Sequence, residues 1–324
     1  MRSPRCLRCV WRTFGPWCLL LLLAAPVAAE PAVGVNMLES EPLFAGGVQF
    51  YLAHRHEMHT RLFDGARPRA NREGLFKVDH QLGLGVNWGV PRVIPGEWTL
   101  SAVVPFVFRD FRAVTESGVV GDQLHGLGDV AVAARMRYLW WVPGGDRGGE
   151  GASLNLACVA TLPTGDNNAG RDGARLPRDM QLGEGAVGLT FAHISAYSRN
   201  RLELISTTQY TWRSVGVGRS NYDFGDSFAH DFEVKYRVIQ EKFPGNTMFL
   251  MLGLAYQRAD FDRDDGARVR DSGGQELVLV PKIQWHPRPW WEMKAKFEVI
   301  LWRDVNGVQL GRELSARASV SYRF

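Results

Sequence analysis

Glu313 to Phe324 reads ELSARASVSYRF, and this stretch decides the fold. Leu314, Ala316, Ala318, Val320, Tyr322 and Phe324 fall on one face of an extended strand; Glu313, Ser315, Arg317, Ser319, Ser321 and Arg323 fall on the other. Successive side chains of a strand point to opposite sides, so the segment has one apolar wall and one polar wall up to its final aromatic. A soluble sheet needs something to bury that aromatic. A transmembrane β-barrel does not, because its closing strand turns its apolar face to lipid.

The same alternation recurs upstream. In Leu75 to Trp88, the residues Phe76, Val78, His80, Leu82, Leu84, Val86 and Trp88 oppose Lys77, Asp79, Gln81, Gly83, Gly85 and Asn87. Phe232, Val234, Tyr236 and Val238 oppose Asp231, Glu233, Lys235 and Arg237, and Met293, Ala295, Phe297 and Val299 oppose Glu292, Lys294, Lys296 and Glu298. The pattern predicts an all-β chain with twelve strands, at 48–59, 74–88, 97–109, 127–141, 152–162, 181–195, 201–213, 227–240, 247–258, 274–286, 290–302 and 312–324. Each meets the requirement of about 9–11 tilted residues for crossing a bilayer.

The connections alternate in length. Thr60 to Glu73, Asp110 to Gly126, Pro163 to Met180, Ser214 to Asp226 and Ala259 to Gly273 are long; Ala196 to Asn200, Glu241 to Asn246 and Pro287 to Pro289 are short. Long extracellular loops facing short periplasmic turns give an up-and-down antiparallel barrel with both termini in the periplasm. Tryptophans support this reading. Trp88, Trp98, Trp140, Trp141, Trp285, Trp290 and Trp291 flank short links, and Trp212 and Trp302 flank long ones, as the aromatic girdles of a barrel require. The alternative, a soluble β-sandwich or solenoid, would place tryptophan mid-strand in a core.

The first 29 residues read as a secretory signal peptide. Arg2, Arg5, Arg8 and Arg12 precede the apolar run Trp17 to Ala25, and Val27-Ala28-Ala29 supplies a small-residue cleavage site. Residues 30–47 form a short periplasmic segment, too small for a plug domain but able to tuck into the periplasmic mouth, and 48–324 form the barrel. Cys6, Cys9 and Cys18 leave with the signal, so Cys158 alone remains and no disulfide framework is possible. The four signal arginines account for the whole formal charge of +4; the mature chain is neutral and offers no case for nucleic acid.

Gly126-Leu127-Gly128-Asp129, Leu162-Pro163-Thr164-Gly165, Asp271-Ser272-Gly273-Gly274, Asp304-Val305-Asn306-Gly307 and the terminal Tyr322-Arg323-Phe324 carry a resemblance. Over residues 120 to 324 the chain resembles the outer-membrane barrels of the MetA-pathway of phenol degradation (transporter) family. That resemblance implies a porin-like barrel in a Gram-negative outer membrane, concerned with small, often aromatic or hydrophobic molecules.

From the residues themselves, Lys77, Asp79, Gln81, Arg135, Arg137, Glu233, Lys235, Arg237, Glu292, Lys294, Lys296, Glu298 and Arg317 are the lumen-lining candidates. Charged lumen residues set which solutes pass. Equally, opposite charges on neighbouring strands can pair and fill a narrow barrel. Tyr322 and Phe324 are the candidate assembly signal, implying the outer-membrane barrel assembly machinery as a partner beside membrane lipid, lipopolysaccharide and a small-molecule solute. No cofactor is expected.

Other chemistry is thinner. His54, His56, Met58 and His59 could bind copper or zinc or form an interfacial histidine patch. Asp260, Asp262, Asp264, Asp265 and Asp271 superficially resemble a calcium loop, but Gly266 is one position late and no closing Glu follows; a solvated loop bridging lipopolysaccharide through divalent ions is the plainer reading. His193 and Ser195, expected at the periplasmic end of a strand, lack the third member that a lipid hydrolase would need. A structural or adhesive barrel is the remaining alternative.

Overall fold

The computed structural model describes residues 38, 43–72, 74–91, 95–115, 118–142, 150–171, 174–175, 180–214, 216 and 222–324. The signal peptide expected at 1–29 lies outside the described residues. Twelve long strands form the wall: β1 (Val48–Asp64), β2 (Phe76–Gly89), β3 (Glu97–Thr115), β4 (Val130–Trp141), β5 (Glu150–Leu162), β6 (Gly188–Arg199), β7 (Leu202–Arg213), β8 (Ser227–Gln240), β9 (Thr247–Ala259), β10 (Gly274–Arg288), β11 (Trp291–Val305) and β12 (Val308–Arg323). Each pairs antiparallel with the next, and β12 returns to pair with β1 from Gln49↔Arg323 to Asp64↔Val308. The sheet is a closed barrel, so no long edge remains and the backbone polar groups are satisfied within the wall.

Alternation sets the two faces as expected. Phe50, Leu52, Leu84, Phe191, Phe232, Leu252 and Phe297 are exposed on the outer wall, while Gln49, Gln81, Asn155, Glu233, Glu292 and Arg317 are buried inside. At the seam, Phe50 meets Phe324 edge-on with ring centroids 5.9 Å apart, Tyr322 lies 4.8 Å from Phe324, and Trp291 lies 5.0 Å from Tyr322. The terminal aromatics thus belong to an aromatic patch that spans the closing strands at the short-turn end. The backbone continues the seam, since Phe324 N–H donates to the Val48 carbonyl at 2.8 Å.

Three departures from the expected strands have physical causes. The sixth strand starts at Gly188, not at 181, because Gln181 to Val187 fold into the mouth instead; Met180 and Ala186 are buried there. The predicted long loop after 109 is a hairpin extension, with β3 continuing to Thr115 and pairing with Gly118–Leu127. Register shifts interrupt β1 between Met58 and Arg61 and β10 at Leu277/Val278 near the long-loop end, and β4 at Arg137/Leu139, β8 at Arg237/Ile239 and β10 at Trp285/Arg288 near the short turns. Strict alternation therefore fails towards both ends, the expected phase of Val238 included. Glycine serves the wall at Gly85, where the Tyr51 ring of β1 lies flat across the backbone; a Cβ would come within 2.1 Å of that ring.

Candidate functional site

The barrel interior is the candidate site, and it divides into three levels. At the long-loop end, the chain links are held inward. Asp129 Oδ1 accepts from Gly165 N–H at 2.8 Å and Oδ2 from Glu184 N–H at 2.6 Å. Thr164 Oγ accepts from Val130 N–H at 2.8 Å and donates to the Gly128 carbonyl at 3.1 Å. Arg109 donates to the Gln181 carbonyl, and the Gln181 amide pairs with both backbone groups of Ala169. Burial pushes the Asp129 carboxyl up, against the downward pull of the two backbone N–H groups. A second latch joins neighbouring links: Val308 N–H donates to Asp271 Oδ1 at 2.9 Å and the Asn306 amide to the Ser272 carbonyl at 3.0 Å. Gly307 is required there, with φ of 65° and a Cβ position 2.1 Å from Asp271 Oδ1.

Beneath the latched links lies a cavity of about 690 Å³, lined in part by Lys77, Asp79, Arg109, Asp129, Glu184 and Asp271. The next level is a band of ion pairs. Glu298 holds Arg312 at 2.7 Å, Arg317 at 3.5 Å and Lys296 at 3.4 Å. Arg312 also reaches Glu57 and Glu276, each at 3.2 Å. On the strands to either side Lys282 pairs with Glu233 and with Asp231, and Asp79 takes Arg109 at 2.5 Å and Lys77 at 3.4 Å. Nearer the short turns, Glu292 gathers Lys294 at 2.9 Å, Arg323 at 3.0 Å and the amides of Gln49 and Gln284.

One side of this level is apolar. Tyr51, Ala53, Val103, Ala131, Ala133 and Val159 form a buried strip, and Leu38 of the N-terminal segment packs against it from inside. Leu43 N–H donates to Thr99 Oγ at 3.0 Å, fixing the segment at the short-turn mouth. The third level is a cavity of about 470 Å³ at that mouth, lined by Arg137, Trp140, Glu203, Lys235, Arg237 and Phe249 among others.

All thirteen lumen-lining candidates lie on the inner face. Gln81, Arg135, Glu233, Lys235, Glu292, Glu298 and Arg317 are buried, while Lys77, Asp79, Arg137, Arg237, Lys294 and Lys296 are half-buried. Much of this set is brought together by pairing: Lys296 and Arg317 by Glu298, Lys294 by Glu292, Lys235 by Glu203 at 3.0 Å and Arg137 by Glu97. The sequence reading missed Glu57, Arg109, Glu276, Lys282, Arg303 and Arg312. Glu57, Arg109 and Lys282 stand in alternating phase and were findable; Arg303 and Arg312 lie beyond the register shifts, which hide their inward direction.

The rival sites are taken apart by the same geometry. His54 and His56 are outside the barrel beside His80, with ring centroids 5.6 and 4.6 Å from it, whereas His59 points inward. Glu57, His59 and Asp79 bring three ligand atoms within 4.8 Å of one another. Arg55, Arg312, Lys77 and Arg109 already neutralise those two carboxylates, so the local field opposes a cation. Asp262 accepts from Tyr222 O–H and Gly225 N–H, and Asp265-Gly266 makes a positive-φ turn, which explains the acidic run without calcium. His193 and Ser195 are mid-strand on the outer wall, not at a rim: His193 Nε2 meets Tyr138 O–H at 3.2 Å and Ser195 Oγ donates to the Ser206 carbonyl at 3.5 Å.

A closed twelve-stranded wall with an aromatic seam and a charged interior defines a barrel of the type found in Gram-negative outer membranes. The sequence profile of the family described as "Putative MetA-pathway of phenol degradation" matches residues 76–318, and the chain belongs to that family. The fold is similar to that of the COG4313 outer membrane channel from Pseudomonas putida F1, with a TM-score of 0.66 at 14% identity over 92% of this chain and 100% of that one. A Pseudomonas aeruginosa FadL homologue matches at a TM-score of 0.41 and 10% identity over 92% of this chain and 99% of that one. A search of curated proteins by sequence gives no match.

Proposed function

We propose that this barrel lets small hydrophobic or aromatic solutes cross the outer membrane, with the long links outside the cell and the termini in the periplasm. The observation that carries the reading is the apolar strip from Tyr51 to Val159 inside a lumen rich in ion pairs, between a cavity of about 690 Å³ and one of about 470 Å³ at opposite ends. A charged band paired internally leaves few free charges for water to solvate, so an apolar solute loses least along the strip. Leu38 occupies that strip and is the group a passing solute displaces. Family membership and the likeness to a channel barrel support the same reading. The outer-wall positions of His193 and Ser195, each bonded elsewhere, speak against that pair as the nucleophile and base of a lipid hydrolase.

Planar-bilayer conductance, combined with uptake of a neutral aromatic by cells lacking and regaining the gene, tests the proposal. Conductance that an aromatic solute interrupts, together with restored uptake, is expected. A folded, inserted barrel with neither property would contradict it.

A further inference from the structure

The mouth at the short-turn end carries a charge left over. Of the four cations lining its cavity, Arg137 is paired with Glu97, Lys235 with Glu203, and Arg201 is exposed to solvent. Glu150 is engaged by Tyr197 O–H at 2.5 Å. Arg237 has no acidic partner among the described residues, and its Nε is buried without an acceptor. A buried guanidinium donor with nothing to donate to is costly, and a planar anion is the group that satisfies it best.

The surroundings specify the rest of the ligand. The Arg237 guanidinium stands 5.3 Å from the Phe249 ring centre, and Lys235 Nζ stands 4.4 Å from the same centre. Across the cavity Trp140, 58% exposed, is overlain by Arg137 at 4.5 Å. Two aromatic rings and a guanidinium whose buried Nε lacks an acceptor therefore share one space of about 470 Å³, within the usual range for a small-molecule site. The opposite cavity differs in sign: Glu57, Asp79, Asp129, Glu184, Asp262 and Asp271 outnumber Arg55, Lys77, Arg109 and Arg213 along its lining. An anion is favoured at the short-turn end and disfavoured at the other.

We propose that Arg237, Phe249 and Trp140 form a binding subsite for aromatic carboxylates, the anion on the Arg237 fork and the ring against the aromatic faces. This rests on the reading of the barrel as a path for small aromatic solutes and narrows it to a ligand class. The test is calorimetric titration of the detergent-folded full barrel with benzoate, with benzyl alcohol and acetate as probes lacking the charge and the ring. Benzoate is expected to bind more tightly than either. Arg237→Gln should weaken benzoate about tenfold or more while leaving benzyl alcohol unchanged, and Arg237→Lys should recover part of the loss. Heat-modifiable gel migration confirms that each variant is folded. Equal binding of benzoate and acetate, or benzoate affinity indifferent to Arg237→Gln, would overturn the subsite. Because binding in detergent requires no transport, a barrel that binds benzoate by Arg237 yet passes no solute keeps the subsite and refutes the passage reading. Passage of neutral aromatics without Arg237-dependent binding does the reverse.

Discussion

The two ends of this barrel are built by different means. At the long-loop end, side-chain carboxylates and amides clasp backbone N–H and carbonyl groups, so links far apart in sequence become one lid: Asp129 to Gly165 and Glu184, Asp271 to Val308, Asn306 to Ser272. At the short-turn end the strands are joined by short links, the aromatics of the seam face outward, and the inner mouth holds cations against aromatic rings. The contrast assigns roles to the residues behind the family resemblance. The Gly126–Asp129, Leu162–Gly165, Asp271–Gly274 and Asp304–Gly307 motifs are parts of the latches, which need particular glycines and short polar side chains. Only Tyr322-Arg323-Phe324 belongs to the other end.

The largest expected effect breaks the seam. Removing Tyr322 to Phe324 deletes the aromatic contacts to Phe50 and Trp291 and the last ladder bonds to Val48, and it should sharply reduce insertion into the outer membrane. Removing Asp264 to Ala267, the exposed tip of a hairpin at the long-loop end, should be tolerated. Membrane fractionation with heat-modifiable migration reads both; equal losses would show that the ends are not distinct in the way described.

Next in size is the ion-pair band. Glu298→Ala leaves Arg312, Arg317 and Lys296 without their shared carboxylate and should destabilise the barrel by about 3 kcal/mol or more. Arg237→Ala at the short-turn mouth breaks no ion pair and should stay within about 1 kcal/mol. Denaturant unfolding in detergent measures the pair of variants.

A smaller, local effect belongs to the lid. Asp129→Asn replaces one acceptor oxygen by a donor facing Gly165 or Glu184 N–H and should speed amide exchange at those two positions, equivalent to about 1–3 kcal/mol of local opening. Acidity sharpens this. Burial raises the Asp129 carboxyl, so the folded lid takes up its proton before the open form does. Its contribution is fully present at low pH and is lost as pH rises through the folded value. Wild-type exchange at Gly165 and Glu184, corrected for intrinsic rate, should therefore slow as pH falls through the acid range, and the variant should lose that dependence.

The wall was legible in the sequence because period-two alternation is local. Phe76 to Trp88 and Leu314 to Phe324 fix their faces with no knowledge of their partners. What lay beyond reach depended on partners or on insertions. Arg312 and Arg303 turn inward only because register shifts precede them, and the start of β6 was misplaced because Gln181 to Val187 fold into the mouth through bonds to Arg109 and Asp129. The histidine cluster was divided for the reverse reason: alternation held, sending His54 and His56 outside and His59 inside, while His80 arrived from a neighbouring strand. Pairing among the lumen charges was one of two readings open to the sequence, and the positions of Glu298 and Glu292 favour it.

The central claim is that an aromatic solute travels along the apolar strip now covered by Leu38. Uptake of a labelled neutral aromatic by cells bearing the wild-type barrel or Leu38→Ser, at matched levels of inserted protein, tests it most directly. The account predicts uptake above that of barrel-free cells for the wild type and a further rise of several-fold for the variant, since a smaller polar side chain no longer packs against Tyr51, Ala53 and Val103. Uptake equal in all three strains would contradict it.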